Sequence, residues 1–290
     1  MTLGFMRRAV PASLALSLFS RCFAVVARSK QAFQRPPGIV WVKASEVAAC
    51  IGRNPYKTPL EVLTNMHKEY GAETFTGQTK MDMGLEAVER LPAAERTMLR
   101  QAAALPLTKA VEVQKVLTSV TGKIKENSAI SPADKKNAVE FLVGSMNTGF
   151  GTRTEDIIVK SVEEKQQIKM QRDPTMYELK LFRLGDTQYG LRGKIDRLQE
   201  EGGETILVEV KSRTRKLFKE LRDYENIQMQ CYLNLLPAHL GVRRARLTEN
   251  YENQSQSYDI GRDEALWKGH VVPGLLDFCQ QLDNAIKGKK

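Results

Sequence analysis

The chain has 290 residues, of which 42% are hydrophobic and 27% are charged, enough for one or two domains with a buried core. This composition excludes collagen-like, low-complexity and wholly disordered chains, and since no run of about 18 apolar residues occurs, we expect no membrane span. The formal net charge is +10, but residues 1–45 contain seven basic side chains and no acidic one. The remaining 245 residues therefore carry only +3, so net charge alone is weak evidence for a nucleic-acid partner.

The N-terminal segment, residues 1–36, is predicted to be a disordered targeting leader. It is rich in Arg, Ser and Ala and lacks acidic residues, which is typical of an organelle transit peptide, and Arg21-Cys22-Phe23-Ala24 resembles a mitochondrial processing site. A secretory signal is the competing interpretation, because Leu14 to Phe19 could form a short apolar region. Arg21 interrupts that region, so we favour mitochondrial import; a basic N-terminus without a targeting function is a third interpretation.

Two short helices are predicted after the leader. Ser45 stands directly before an apolar run, Val47 to Ile51, and is predicted to cap its helix. Thr58-Pro59 combines a capping residue with a proline in the first turn, which predicts a second helix over Leu60 to His67.

The next part of the chain, residues 72–145, has a helical composition with few β-branched runs. Ser131 is predicted to start a helix that ends near Met146. A polar stretch over residues 149–154 then leads into a further helix, which is predicted to begin near Glu155.

The sequence period changes in the middle of the chain. Tyr177 to Leu184 and Tyr189 to Leu198 are each predicted to form a strand, and a hairpin turn at Glu201 to Glu204 precedes an apolar strand, Thr205 to Val210. The last predicted elements are a helix around Gln228 to Leu236, strands between Arg244 and Ile260, and a helix over Val272 to Ile286. This order predicts an α/β fold with a mixed central sheet flanked by helices.

The cysteines and histidines do not form a recognisable metal motif. The four cysteines include no C-x-x-C pair, which argues against a zinc ribbon, a redox pair or an iron–sulfur cluster. Without the leader three remain, an odd number that suits a reducing compartment. The three histidines are scattered, so carboxylates must hold any metal, which favours Mg²⁺ or Mn²⁺ over zinc.

A cluster of charges lies within the otherwise apolar hairpin. Asp196 is on one strand, and Glu209 and Lys211 share a face of the partner strand because side chains alternate along a strand. A turn at Gly202-Gly203 would bring Asp196 alongside them. Carboxylates that face one point repel each other, and a divalent cation relieves this repulsion. The competing interpretation is a solvated surface with the ion pairs Glu209–Lys211 and Asp196–Arg197.

A second polar pair, Gln228 and Tyr232, lies four residues apart and so on one face of the following helix. Alone, the pair also suits a helix with a polar stripe and a packed tyrosine. Together, D-x(12)-E-x-K and Q-x-x-x-Y resemble the PD-(D/E)XK nuclease superfamily, in the branch that contains lambda exonuclease, the YqaJ-type viral recombinases and the RecB-type nucleases. Lys194-Ile195 stands where the superfamily's name has its proline.

Three other stretches are similar to signatures of this branch. Val42-Lys43-Ala44-Ser45-Glu46-Val47 is similar to its A-S-E-(I/V) segment, and Asn54-Pro55-Tyr56-Lys57-Thr58-Pro59 to its N-P-Y-(K)-(T/S)-P segment. Phe150-Gly151-Thr152-Arg153-Thr154-Glu155 is similar to its W-G-x-x-x-E helix start, with Phe150 where tryptophan is usual.

The resemblance covers about residues 42–66 and 148–285. It implies a restriction-endonuclease-like core within an exonuclease domain over residues 37–290. Residues 72–145 depart from the branch, which has far fewer residues at this point, and are therefore predicted to be a helical insertion.

The resemblance also implies a metal site. Asp196 and Glu209 would ligate Mg²⁺, for which Mn²⁺ could substitute, with the Val210 carbonyl as a third ligand. Glu155 would bind or orient the metal from its helix. The metal would act as a Lewis acid and generate hydroxide near neutral pH.

Further catalytic and DNA-binding roles follow from the same resemblance. Lys211 would position and help deprotonate the attacking water, and Gln228 and Tyr232 would order the site and touch the DNA backbone. Ser45 resembles the residue that holds a terminal 5′-phosphate, which free N–H groups at a helix start would suit. Candidate contacts to the DNA backbone, which could equally be solvated surface charges, are Arg53, Lys57, Arg153 and Arg213.

We therefore expect a Mg²⁺-dependent exonuclease that acts on linear DNA ends without sequence specificity, 5′→3′ on duplex DNA, in mitochondrial DNA processing, repair or recombination. A single-strand-specific mitochondrial exonuclease of the RecB type shares the same catalytic positions. An inactive nuclease fold that binds nucleic acid and an RNA-processing endonuclease also stay open. Partners that the resemblance allows are a second copy of the chain and a single-strand annealing protein; no membrane partner is expected.

Overall fold

The computed structural model describes residues 38–71 and 77–288. The predicted leader, residues 1–36, lies outside the described residues, and so do the first residues of the predicted insertion, 72–76. Within the described ranges, strands form two mixed sheets that are flanked by helices. The predicted α/β fold class is therefore confirmed, with the strands divided between two sheets.

The strands differ in length from three to nine residues. In chain order they are β1 (Ile39–Lys43), β2 (Met170–Arg172), β3 (Tyr177–Leu184), β4 (Thr187–Gly193), β5 (Arg197–Glu201), β6 (Glu204–Ser212), β7 (Arg244–Tyr251) and β8 (Gln254–Gly261). The first sheet has the order β1-β4-β3, with β1 parallel to β4, and the second has the order β2-β5-β6-β7-β8, with β6 parallel to β7.

Most of the helices precede the second sheet in sequence. They are α1 (Val47–Cys50), α2 (Pro59–Tyr70), α3 (Lys80–Arg90), α4 (Ala93–Ala103), α5 (Ala110–Glu126), α6 (Pro132–Gln166), α7 (Asp223–Leu235), α8 (Glu264–Leu266) and α9 (Val272–Ile286). A π-helical turn, Trp267–Val271, joins the last two. None of the helices within residues 38–71 and 77–288 combines the length and the apolar character that a bilayer span requires.

The strand predicted over Tyr189 to Leu198 is divided in the structure, so that prediction is wrong. β4 ends at Gly193 and β5 begins at Arg197. The division occurs because β4 pairs with β1 and β3, whereas β5 pairs with β2 and β6. The residues between the two strands carry the chain from one sheet to the other, and Asp196 lies at this crossing.

The predicted hairpin between β5 and β6 is confirmed. Gly202 and Gly203 have φ values of +60° and +83°, which suit the two central positions of a type I′ turn. The antiparallel register places Arg197 opposite Val208. Asp196 therefore reaches the part of β6 that contains Glu209.

Helices α1 and α2 pack near the first sheet. Thr58 caps α2, since its side chain accepts the backbone N–H of Glu61, as predicted. The predicted cap at Ser45 is wrong: this exposed residue lies inside a 3₁₀ turn, Ala44–Glu46, and gives no capping hydrogen bond. The four-residue α1 that follows is too short to have a strong N-terminal dipole.

Helices α3, α4 and α5 and the first half of α6 form a helical layer with its own buried cluster, which includes Leu99, Val113, Ile124 and Leu142. Ser131 caps α6 as predicted, because its hydroxyl accepts the Asp134 N–H at 3.1 Å.

Helix α6 runs for 35 residues without the predicted break at 149–154. Phe150 is buried in the helical layer, and the Thr154 hydroxyl donates back to the Phe150 carbonyl at 2.8 Å. Tertiary packing thus outweighs the helix propensity cost of the nearby glycines, about 1 kcal/mol each. The second half of α6 packs Ile158 and Val162 against β6, so this helix carries Glu155 to the start of β5.

Candidate active site

Asp196 binds the main chain of β6. Its Oδ2 accepts the backbone N–H of Val210 at 3.1 Å. If the register of β5 and β6 continued by two residues, Ile195 would face Val210, but β5 begins only at Arg197. The Asp196 side chain therefore pairs a main-chain group that the ladder leaves open.

Glu209 and Lys211 project from the same face of β6, as the alternation of strand side chains predicts. The Lys211 ammonium lies 2.5 Å from Glu209 Oε1, and the Glu209 side chain is only 4% exposed. Burial raises the pKa of Glu209 to about 7, the Lys211 charge opposes this rise, and the Asp196 charge adds to it. The ion pair of the competing surface interpretation does form, but it is largely buried.

Helix α7 supplies the polar partner of this pair. Gln228 Nε2 lies 3.1 Å from Glu209 Oε1 and 2.9 Å from the Tyr232 hydroxyl. The predicted i, i+4 face is therefore confirmed. Burial raises the pKa of Tyr232, so it stays a neutral phenol that can orient the glutamine.

The first sheet supports this helix at close range. A Cβ atom added at Gly193 would lie 2.9 Å from a ring carbon of Tyr232 and 3.3 Å from Leu235. Only glycine allows the end of β4 to approach α7 this closely. The junction between the sheets thus fixes Tyr232 and, through it, Gln228.

Glu155 approaches the cluster from α6 and pairs with Arg197. The sequence predicted Arg197 only as an ion-pair partner of Asp196. Arg197 Nη1 lies 3.3 Å from Glu155 Oε1, and Arg197 Nη2 lies 2.6 Å from Asp156 Oδ1. The same guanidinium donates to the Asp196 carbonyl at 2.7 Å. Burial and the nearby Asp196 charge raise the pKa of Glu155, against the effect of Arg197.

Arg197 was predicted only as a surface ion-pair partner of Asp196. Its side chain is 5% exposed, and it joins the start of β5 to α6. The one signal in the sequence was an arginine at a strand position directly after the candidate aspartate.

The oxygen donors beside β6, at the point where β5 begins, suit a hard divalent cation. Asp196 and Glu209 offer carboxylate oxygens, and Glu209 Oε2 is buried with no hydrogen-bond partner in the part of the chain that the structure describes. The N–H and C=O groups of one strand residue point to the same side of the strand. Because the Val210 N–H points to Asp196, the Val210 carbonyl also lies on the side of β6 that faces Asp196. Oxygen donors of this kind are those that Mg²⁺ and Mn²⁺ prefer.

Side chains alone do not complete such a site. Among residues 38–71 and 77–288, no three acidic, histidine or cysteine side chains converge closely enough to hold a metal. The Val210 carbonyl or water molecules would have to supply the remaining ligands, which is usual for Mg²⁺ because it gives up its water reluctantly.

The predicted DNA contacts near the N-terminus gather at the start of α7. Arg53 Nε lies 2.9 Å from Asp223, and both side chains are about half exposed. Lys57 Nζ lies 2.6 Å from Glu46. Ser45 is exposed close by, but the wrong cap prediction removes the physical basis for a phosphate site on it.

Arg153 and Arg213 make internal contacts. Arg153 Nε donates to the Leu107 carbonyl at 3.1 Å, and burial lowers the pKa of its guanidinium. Arg213 pairs with the buried carboxylates Glu225, at 2.6 Å, and Glu249. DNA binding by both arginines stays a prediction, but the structure gives each a structural contact.

Glu225 and Glu249 were not identified from the sequence. Glu249 also accepts the backbone N–H of Phe218 at 2.9 Å, and the Arg213 guanidinium lies 4.6 Å from the Phe218 ring centroid. This network, Arg213, Phe218, Glu225 and Glu249, fixes the loop that joins β6 to α7. It therefore sets the position of the helix that carries Gln228.

Comparison with known proteins gives a family match and several structural similarities. The family model described as the PD-(D/E)XK nuclease superfamily matches residues 86–268, which contain the predicted catalytic residues and most of the predicted insertion. No curated protein matches the chain significantly. Among solved structures, the chain is similar to one described as the crystal structure of SSO0001, with 16% sequence identity, a TM-score of 0.32, and coverage of 77% of this chain and 86% of that one.

Proposed function

The chain belongs to the PD-(D/E)XK nuclease superfamily, and on that premise we propose that it is a Mg²⁺-dependent exonuclease that hydrolyses linear DNA from its ends. The observation that supports this proposal is the meeting of Asp196, Glu209 and Lys211 beside β6, at the point where β5 begins. A metal-dependent hydrolase of phosphodiester bonds needs oxygen ligands for its cation and a positive charge for the phosphate, and these three residues would supply both.

Each side chain has a distinct part in this proposal. Asp196, Glu209, the Val210 carbonyl and water molecules would hold Mg²⁺, and Glu155 would orient this site from α6. The cation would supply Lewis-acid stabilisation of the charge on the phosphate. Gln228 and Tyr232 would keep Glu209 in place.

Lys211 is best suited to an electrostatic role. Burial lowers its pKa, but the adjacent Glu209 and Asp196 raise it more, so the pKa lies above its ordinary value. The side chain is therefore an ammonium ion near neutral pH. In this state it can donate to a phosphate oxygen and orient a water molecule, whereas only the neutral amine could remove the water's proton.

The first expected substrate is duplex DNA that is degraded 5′→3′. Single-stranded DNA is the second candidate, and the exposed Tyr56 ring beside α7 favours it, because unpaired bases stack on aromatic side chains. Both candidates use the same catalytic residues.

The test compares purified full-length chain with two variants, in Mg²⁺, Mn²⁺ or EDTA, on linear duplex, linear single-stranded and closed circular DNA. Asp196→Asn removes a proposed metal ligand, and Asp186→Asn is the matched control at an exposed position in the β3–β4 turn. Digestion of linear DNA alone, lost in Asp196→Asn and in EDTA but kept in the control, supports the proposal. Cleavage of circular DNA would indicate an endonuclease, and DNA binding without cleavage in either metal would indicate an inactive nuclease fold.

End-labelled linear substrates decide the polarity in the same assay. Release of the 5′-labelled nucleotide before the 3′-labelled one on duplex DNA supports the expected 5′→3′ direction. Faster digestion of the single strand would select the second candidate. A matched RNA strand tests whether the chain is instead an RNA-processing endonuclease.

We also propose the domain organisation that the sequence predicts, with a mitochondrial leader over residues 1–36, an exonuclease domain over residues 37–290 and a helical insertion over residues 72–145. Fusion of residues 1–36 to a fluorescent protein tests the leader, and mitochondrial accumulation that is lost when its arginines are replaced supports it. Sedimentation of the full chain tests self-association, and co-purification with a single-strand annealing protein tests that partner.

A further inference from the structure

An exposed aromatic side chain lies beside the helix that carries Gln228. Tyr56 has 66% of its surface exposed, although its main chain is held in place. Asn54 Oδ1 accepts the backbone N–H groups of Tyr56 at 2.8 Å and of Lys57 at 3.2 Å. This is a local side-chain turn of the kind that fixes a loop, so the ring is presented to solvent by an ordered segment.

The ring rests against a second tyrosine on α7. The Tyr56 and Tyr224 centroids are 5.7 Å apart and the ring planes are at 89°, the edge-to-face geometry that aromatic pairs favour. Tyr224 and Gln228 are four residues apart on α7 and share a helix face. The tyrosine pair is thus one helical turn from the residue that binds Glu209.

Two cationic side chains lie next to this aromatic pair. Lys80 Nζ donates to the Tyr56 carbonyl at 3.1 Å and is 53% exposed, and Arg53 is 44% exposed beside Asp223. Both form ion pairs with carboxylates, Lys80 with Glu61 and Arg53 with Asp223. The Arg53–Asp223 pair is about half exposed on both sides. An exposed pair of this kind costs little to exchange, so a phosphate could take the place of Asp223.

We propose that Tyr56, supported edge-on by Tyr224, stacks one unpaired nucleobase of the DNA strand that enters the active site. This inference rests on the proposed nuclease function and adds the chemical class of substrate that the site entrance recognises. Stacking needs a base plane free of its complementary strand, which either a single strand or a frayed duplex end supplies. Recognition through the π-face is tolerant of sequence, in agreement with the absence of sequence specificity that we expect.

The test measures binding in EDTA, so that cleavage does not interfere, with fluorescently labelled oligo-dT, an abasic strand of equal length and a blunt duplex. Tyr56→Ala removes the ring, Tyr56→Phe keeps it, and Val111→Ala is the control at another exposed apolar position, on α5. We expect Tyr56→Ala to bind oligo-dT about 10-fold more weakly, a ratio within the range for one stacked base. The abasic strand should bind all four proteins equally, because it offers phosphates without bases.

A base analogue reports the stacking directly. 2-Aminopurine at successive positions from the end of the strand should lose fluorescence at one position with the wild type and Tyr56→Phe, but not with Tyr56→Ala. The same analogue at the end of the blunt duplex shows whether the base comes from a frayed end or only from a single strand.

The outcomes separate this inference from the proposed function. Equal loss of oligo-dT and abasic binding in Tyr56→Ala, or no loss in either, overturns the stacking role even if the wild type digests DNA. A wild type that neither binds nor digests DNA overturns the proposed function and this inference with it. Unchanged melting temperatures of the variants, expected for so exposed a side chain, confirm that folding is not the cause.

Discussion

The carboxylate of Asp196 accepts the backbone N–H of Val210 at 3.1 Å and so replaces the main-chain partner that β5 no longer provides. A residue proposed as a metal ligand thus also satisfies a main-chain group of the sheet. The two roles differ in what they require: the hydrogen bond needs any acceptor oxygen, whereas a cation needs the negative charge.

Asp196→Asn should separate these roles. The amide oxygen can still accept the Val210 N–H, so we expect the free energy of unfolding to change by less than about 1 kcal/mol. DNA cleavage should fall on the order of 10²-fold or more, because stabilisation of the charge on the phosphate is lost. Urea unfolding and initial digestion rates, with Asp186→Asn as the control, measure the two effects. Wild-type cleavage in Asp196→Asn would exclude Asp196 as an essential ligand.

The central part of the site could be predicted because it is local in sequence. A two-residue period and two adjacent glycines were enough to place Asp196, Glu209 and Lys211 together. The i, i+4 spacing likewise predicted the contact of Gln228 with Tyr232.

The supporting contacts could not be predicted in this way. Arg197 reaches Asp156 across 41 residues and Arg213 reaches Glu249 across 36, and such separations have no periodic signature. The break between β4 and β5 also depends on which sheet each strand joins, which local alternation does not contain. The course of α6 through residues 149–154 was set by burial of Phe150 rather than by glycine propensity.

Lys211→Ala should lower the rate of DNA cleavage about 100-fold and leave DNA binding nearly intact. The Lys211 ammonium lies next to Glu209 and is proposed to stabilise the charge on the reacting phosphate. The loss of this stabilisation should lower the rate on the order of 10²-fold. Binding depends on many phosphate contacts, and we expect the affinity to change by less than about 3-fold. Single-turnover digestion and binding in EDTA measure the two quantities.

Lys216→Ala is the matched control for this variant, because Lys216 is exposed in the loop that follows the same strand. It should lower the cleavage rate at saturating DNA only slightly. If Lys211→Ala lost binding and cleavage to the same degree, Lys211 would be a structural residue.

The ion pair between Arg90 on α3 and Asp134 on α6 should make the free energy of unfolding depend on pH. Arg90 and Ser131 hydrogen-bond to Asp134 and lower the pKa of its carboxyl. A lowered pKa means that this residue stabilises the fold above the unfolded-state pKa, about 4, and that the stabilisation is lost as the pH falls through the lower folded-state value.

Asp134→Asn should therefore lower the free energy of unfolding by about 0.5–1 kcal/mol at pH 7, and the difference from the wild type should shrink below pH 4. Urea unfolding between pH 3 and pH 7 measures this. Glu86→Gln is the control, since Glu86 contacts Arg90 only at 3.6 Å and is 49% exposed. A difference that is constant over this pH range would show that the Asp134 charge contributes nothing.

Arg197→Met should weaken the proposed metal site without removing one of its proposed ligands. Loss of the guanidinium frees Glu155 and the Asp196 carbonyl, and removal of such supporting groups typically lowers metal affinity about 10-fold. We expect the Mg²⁺ concentration for half-maximal cleavage to rise by about this factor and the rate to recover at high Mg²⁺. Asp156→Asn, at a carboxylate that is 66% exposed, should change it little. A rate that excess Mg²⁺ does not restore would mean that Arg197 acts on the folding of the site or on the DNA instead.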